Sequence, residues 1–315
     1  MSHDFLSQLQ DSLEIPLEQN GSPNQAFSHV VFVGMGGSAV AAHYTQALVA
    51  AQLPCSFQLC QTAELPAYIQ SNTLVIGCSY SGTTQETKAL LKQAEKRGAC
   101  IALISTQPEQ LDIPTTWLAC RPPQGLQPRQ ALLYHWIFTL RMLEAANLYA
   151  IPQQDWQAAS ERLVEHSSDL KTAAEQLLDF FNGKIIGVFS HYLALGLRAK
   201  QQFNENSKHF AFWNVFPEMM HNEITAFEQP NEHVALLLLQ THIGRTSKAI
   251  NFCAAYLKNN GISHKILTLP TQNAIEDLLF YTYCLDHCSW LLALHKGVDP
   301  HQIQAIQDFK EFSKK

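Results

Sequence analysis

HVVFVGMGGSAV at residues 29–40 and TLVIGCSYSGTTQETKAL at 73–90 share one design: an apolar, β-branched run, a turn of glycine and small hydroxyl residues, then helical sequence. A strand–turn–helix order of this kind is the building unit of a parallel α/β sheet. Further strands are expected at SFQLC (56–60), CIALIS (100–105) and TTWLAC (115–120), with helices over Ala39–Ala51 and Gln85–Arg97 between them. The first half is therefore a parallel sheet with helices on both faces. Ligands of open parallel sheets bind at the carboxyl ends of the strands. Both glycine turns lie there.

The residues of those turns suit an anion. In GMGGSAV, Gly36 and Gly37 let a ligand approach backbone N–H groups without a Cβ in the way, and Ser38 adds a hydroxyl donor. The helix that follows contributes roughly half a positive charge at its first turn. GMGGSA has no glycine at its sixth position and no lysine, so it is neither the dinucleotide fingerprint nor a nucleoside triphosphate loop. In CSYSGTTQET, Ser79, Ser81, Thr83 and Thr84 surround Gly82 at a second helix start. Capping a helix takes only one such hydroxyl. A tetrahedral phosphate takes several short donors at once. A small phosphorylated ligand, a sugar phosphate foremost, is expected in this half.

Helical stretches follow over 129–147 and 154–182, separated by a turn at Ile151-Pro152, which places a domain boundary near residue 152 and gives units 1–152 and 153–315. The second half repeats the plan with KIIGVFS (184–190), HVALLLLQ (233–240) and HKILTLP (264–270). LLLLQTHIGRTSKAI at 236–250 matches VIGCSYSGTTQETKAL at 75–90 in order but has lost the serines and one glycine. It reads as a diverged copy, and the first half as the phosphate domain.

Composition narrows the remaining classes. A chain 46% hydrophobic and 15% charged buries a sizeable core, and a net charge of −6 without a Lys/Arg run argues against nucleic acid. The N-terminus lacks the basic flank and apolar block of a secretory signal, and no apolar stretch reaches the ~18 residues that span a bilayer. A soluble, cytoplasmic protein is expected. Eight cysteines without a CxxC pair read as reduced core thiols. Asp286, His287 and Cys288 point to different sides of a helix, Cys284 and Cys288 share a face without further ligands, and HNE at 221–223 is not HExxH. No metal and no cofactor are expected.

GMGGSA and SYSGTT together resemble the sugar isomerase (SIS) fold, a duplicated α/β domain that binds phosphosugars. FNENSK (203–208), PEMMHNEI (217–224), QPRQALLY (127–134) and GVDPHQIQAIQDFK (297–310) resemble, more narrowly, the bifunctional phosphoglucose/phosphomannose isomerases. The resemblance runs over nearly the whole chain. It implies a cofactor-independent aldose–ketose isomerase that interconverts glucose 6-phosphate and mannose 6-phosphate with fructose 6-phosphate. It further implies phosphate ligation by Ser38, Ser79, Ser81 and Thr84, a base at Glu205, ring opening by His221 and Lys310, and a cation beside the reacting carbons at Arg129. Two departures bear on specificity: Gln85 stands where the family more often has a carboxylate, and a PPQGLQ stretch precedes Arg129.

Those residue types suit the reaction. A desolvated carboxylate can take the C2 proton, an imidazole can move a proton between ring oxygen and O1, and a guanidinium can stabilise the enediolate without losing its own proton. Taken singly, Glu205 and Arg129 read as solvated or salt-bridged helix residues, His221 as a partner of Glu218 or Glu223, and Lys310 as a solvated helix end. Their joint occurrence with two phosphate loops carries the reading. A homodimer is expected, with His221 acting either in its own site or in the neighbour's. Two alternatives stay open: a non-catalytic phosphosugar-binding regulator, against which stands a leader of only about 28 residues before the first strand, and another SIS-type enzyme acting on aminosugar phosphates.

Overall fold

The β-branched runs do form strands, and the polar turns between them do end at helix starts. The computed structural model describes residues 5–21, 26–246 and 248–312, without the side chains of residues 245, 246 and 310. The chain divides into two compact units, Met1–Ser160 and Glu161–Lys315.

The first unit contains α1 (Phe5–Glu14), β1 (Glu18–Gln19), β2 (His29–Gly34), a 3₁₀ turn at Gly36–Ser38, α2 (Val40–Val49), β3 (Ser56–Cys60), β4 (Thr73–Cys78) and α3 (Gln85–Lys96). It continues with β5 (Cys100–Ile104), β6 (Thr116–Cys120), a 3₁₀ turn at Pro128–Ala131 and α4 (Leu132–Ala145). The sheet order is β1-β6-β5-β4-β2-β3, parallel except for the short edge strand β1. Every residue of β4 is buried, as a strand covered on both faces requires. Val31, Val33, Val75, Ile101 and Leu103 alternate onto one face and pack with Leu90, Leu91 and Ala94 of α3. Full burial of each such side chain contributes about 1.5–3 kcal/mol. Stability is thus supplied by this face, leaving the turns at the strand ends to chemistry. The register pairs Gly34 with Cys78, so the two glycine turns leave the sheet side by side.

Helix α5 (Gln153–Glu175) follows, and the second unit adds α6 (Leu178–Phe181), β7 (Ile185–Ser190), α7 (Leu193–Glu205), β8 (Ala211–Val215) and 3₁₀ turns at Glu218–His221 and Glu223–Phe227. Next come β9 (Val234–Leu239), a 3₁₀ turn at Ile243–Thr246, α8 (Lys248–Asn259), β10 (His264–Leu267), α9 (Ala274–His295) and α10 (Gln304–Phe312). Its parallel sheet runs β10-β9-β7-β8, the same topology as β5-β4-β2-β3 in the first unit. The diverged-copy expectation holds at the level of strand order.

Three details differ from the sequence expectations. The helix expected over 154–182 breaks at Gln176-Leu177, where the Leu177 amide turns back to Ala174 O at 3.1 Å, a tightened 3₁₀ closure. The helix expected from Arg129 begins only at Leu132, because Pro128 opens a 3₁₀ turn whose Gln127 and Gln130 cap each other. Strands β1 and β8 were not expected at all: β1 is two residues long, and AFWNV in β8 shows no clean alternation, being only partly buried.

Candidate active site

The hydroxyls of the second turn are directed at one another. Ser79 Oγ donates to Thr84 Oγ1 at 3.1 Å, and the Ser81 and Thr83 hydroxyls share a bond of 2.8 Å. Ser81 and Thr83 are exposed, Thr84 is half-buried and Ser79 is buried. Thr84 is the N-cap residue of α3, yet its side chain makes no cap bond; α2, after Ala39, likewise begins without one. The first amides of α3 therefore keep the anion-binding capacity that a capping side chain would have consumed, whereas α2 continues a 3₁₀ turn in which the Ala39 and Ala42 amides already bond to Gly36 O and Ala39 O. Gly82 holds φ at +72°, and a Cβ there would strike Gln107 O at 2.4 Å. Only glycine fits this turn.

The first turn is tied to the second through Ser38, which is buried and hydrogen-bonds the Cys78 thiol. Burial pushes that thiol up strongly, with the Ser38 bond opposing. Gly36 is exposed and Gly37 half-buried. A Cβ on Gly37 would come within 2.8 Å of the backbone N and Cα of Arg129. Arg129 is itself 4% exposed, so the cation is carried on a turn packed backbone to backbone against the glycine loop. Tyr80, between Ser79 and Ser81, was not singled out from the sequence. Its hydroxyl donates to Pro123 O (2.6 Å) and accepts from Leu126 N (2.8 Å), which pins the PPQGLQ stretch leading to Arg129. The signal was present as an aromatic residue inside a polar loop.

In the second unit, Glu205 is half-buried and closes α7. The helix is locked to α9 by the buried pair Arg198–Asp286, with nitrogen–oxygen distances of 3.1 and 2.6 Å, and by Asn206 Nδ2 donating to Ser289 Oγ at 2.9 Å. Glu205 lies two turns beyond Arg198 on the same helix face. Asp286 is thus a structural partner of Arg198. His221 is exposed, at the end of the Glu218–His221 turn. Phe216, Met219 and Phe227 anchor that segment in a core with Phe189, Leu236 and Leu238. Glu218 accepts from Asn222 at 2.9 Å and Glu223 from Asn214, so the carboxylates flanking His221 have amide partners. Lys310 lies in α10; its side chain falls outside the described residues.

Residues 25–110 match the SIS domain family, and residues 168–312 match the bacterial phospho-glucose isomerase C-terminal SIS domain. A bifunctional phosphoglucose/phosphomannose isomerase of Thermoplasma acidophilum is 27% identical over 293 residues, 90% of this chain and 89% of that protein. Its counterpart in Caldicellulosiruptor bescii is 34% identical over 229 residues, covering 66% of this chain and 65% of that one. Both matched regions are SIS domains, and nine-tenths of the chain is similar to a bifunctional phosphoglucose/phosphomannose isomerase. The same fold is found in other phosphosugar proteins. The C-terminal domain of glucosamine-fructose-6-phosphate aminotransferase from Francisella tularensis superposes with a TM-score of 0.75 at 15% identity, covering 95% of this chain and 96% of that one. A D-glucosamine-6-phosphate 4-epimerase of Sulfolobus acidocaldarius is also similar, 26% identical over 227 residues, 70% of this chain and 72% of that one. Among the described residues, no helix is long and apolar enough to cross a membrane.

Proposed function

We propose that the protein is a cofactor-independent aldose–ketose isomerase that interconverts glucose 6-phosphate, mannose 6-phosphate or both with fructose 6-phosphate through an enediolate. Supporting this reading is one observation above the others: the start of α3, which has no side-chain cap, and a cluster of mutually bonded hydroxyls lie on the turn next to the glycine loop that packs against the buried Arg129. The substrate phosphate takes the place of the hydroxyl–hydroxyl bonds, held by Ser81, Thr83 and Thr84 with the loop amides, while Ser38 and Ser79 brace the loops from beneath. Arg129 stabilises the enediolate oxygens. Glu205 moves the proton between C2 and C1, His221 and Lys310 serve ring opening, and the working unit is a cytoplasmic homodimer.

The test is a coupled assay of purified protein on glucose 6-phosphate, mannose 6-phosphate and glucosamine 6-phosphate. Ketose formation from either of the first two supports the proposal; turnover of none of them overturns it. Action on an aminosugar phosphate is the second reading, favoured by the similarity to the 4-epimerase. Exclusive turnover of glucosamine 6-phosphate would establish it.

A further inference from the structure

Lys208, the last residue of FNENSK, has a side chain occupied by four carbonyl oxygens. Its Nζ donates to Glu205 O at 2.6 Å and Gln302 O at 2.6 Å, and lies 3.2 Å from Asp299 O and 3.4 Å from Asn206 O. An ammonium has three hydrogens, so it saturates its donors on this cage. Two of the oxygens belong to the end of α7, where carbonyls lack intrahelical partners and the helix dipole favours a cation. The other two belong to the segment between α9 and α10, just before α10 starts at Gln304. Lys208 holds φ at +54°, a left-handed conformation that turns its stem back over the helix end. Lys296 adds a parallel tie, donating to Ser207 O at 3.1 Å.

We propose that Lys208 is a positioning residue: its ammonium clamps the end of α7 to the backbone at Asp299 and Gln302, and so sets Glu205 against the start of the C-terminal helix. The inference rests on the reading of Glu205 as the base. The clamp acts on main-chain oxygens alone, so what it demands is an N–H-bearing cation in the cage rather than a particular side chain. Lys208 is exposed, which leaves the cage within reach of a small solute cation.

The test uses Lys208→Gly, chosen because glycine adopts a positive φ freely, so the backbone is not strained by the change. Turnover should fall on the order of 100-fold, the effect of misplacing a reacting group by about 1 Å, while KM for the sugar phosphate changes little. Ethylammonium should restore part of kcat, and tetramethylammonium, which has no N–H, should not. Lys208→Met, which keeps the stem, should show the same loss without rescue. Amide exchange across residues 303–312 should quicken in Lys208→Gly and slow again with ethylammonium, a readout independent of the chemistry at Glu205. Wild-type kcat in both variants, or equal recovery with the two cations, or no recovery with either, would overturn the proposal. Failure of the base assignment is read separately, from C2 exchange in Glu205→Gln.

Discussion

Gly37 and Arg129 meet backbone to backbone, with no room between them for a methyl group: a Cβ on Gly37 would lie 2.8 Å from both N and Cα of Arg129. The glycine loop and the arginine turn are therefore one rigid piece, and the position of the cation is set by the absence of a side chain elsewhere in the sequence. Gly37→Ala should force the two turns apart, costing about 1–3 kcal/mol as an overpacked contact. We expect a lowered melting temperature together with a fall in kcat/KM larger than that of Gly36→Ala, where a Cβ meets nothing within 4 Å and the cost is confined to the strain of a φ of +52°. Equal activity of Gly37→Ala and wild type would show that Arg129 is not held by this contact.

The exposed hydroxyls should govern affinity. Ser81→Ala removes a donor to a charged ligand and should weaken sugar phosphate binding by about 1.5–3 kcal/mol, seen as a raised KM with kcat nearly kept. Ser79→Ala removes a buried bond to Thr84 and should instead lower thermal stability. Calorimetric titration with a non-reacting hexitol 6-phosphate separates the two, and unchanged affinity in Ser81→Ala would remove this residue from the phosphate site.

Glu205→Gln keeps the size of the side chain and removes its basicity. Substrate should still bind, while turnover falls by ~100- to 10,000-fold, toward the upper end for a direct carbon-acid base. Exchange of the C2 deuterium of glucose 6-phosphate with solvent should cease in Glu205→Gln and persist in His221→Ala once the ring is open. Exchange at the wild-type rate in Glu205→Gln would transfer the base role to another carboxylate, Glu218 or Glu223 first.

The thiols that burial raises should be inert near neutrality. Burial pushes Cys100 up to about 11 and Cys120, Cys253 and Cys284 up to about 12, and also raises Cys55. A raised thiol stays protonated at neutral pH, and the thiolate is the nucleophile, so iodoacetamide should label the folded protein slowly at pH 7.5 and the unfolded protein throughout. Labelling of Cys100 should climb as pH rises toward 11. Rapid alkylation of Cys78 at pH 7.5 would show that the strand end beneath Ser38 opens in solution.

The fold was legible because its signals are local. Apolar runs such as HVVFVG and TLVIGC, broken by glycine and hydroxyl turns, specify strand, turn and helix within a few residues, and their recurrence after residue 184 exposed the duplication. Local signals failed where burial was partial or closure was tight, at β8 and at the break between α5 and α6. The candidate site residues were picked out as residue types in motifs, through resemblance more than through periodicity.

By itself the sequence determined the two α/β units, the repetition of the strand–turn–helix plan, the pair of anion-suited turns and the family resemblance. Tertiary structure alone decided that Gly37 backs onto Arg129, that Tyr80 pins the stretch leading to it, that Thr84 bonds Ser79 rather than capping α3, and that Lys208 grips carbonyls from two distant segments. The physical reason is range: propensity and alternation act between neighbours along the chain, whereas a close backbone contact or a shared ammonium exists only after packing has brought remote segments together.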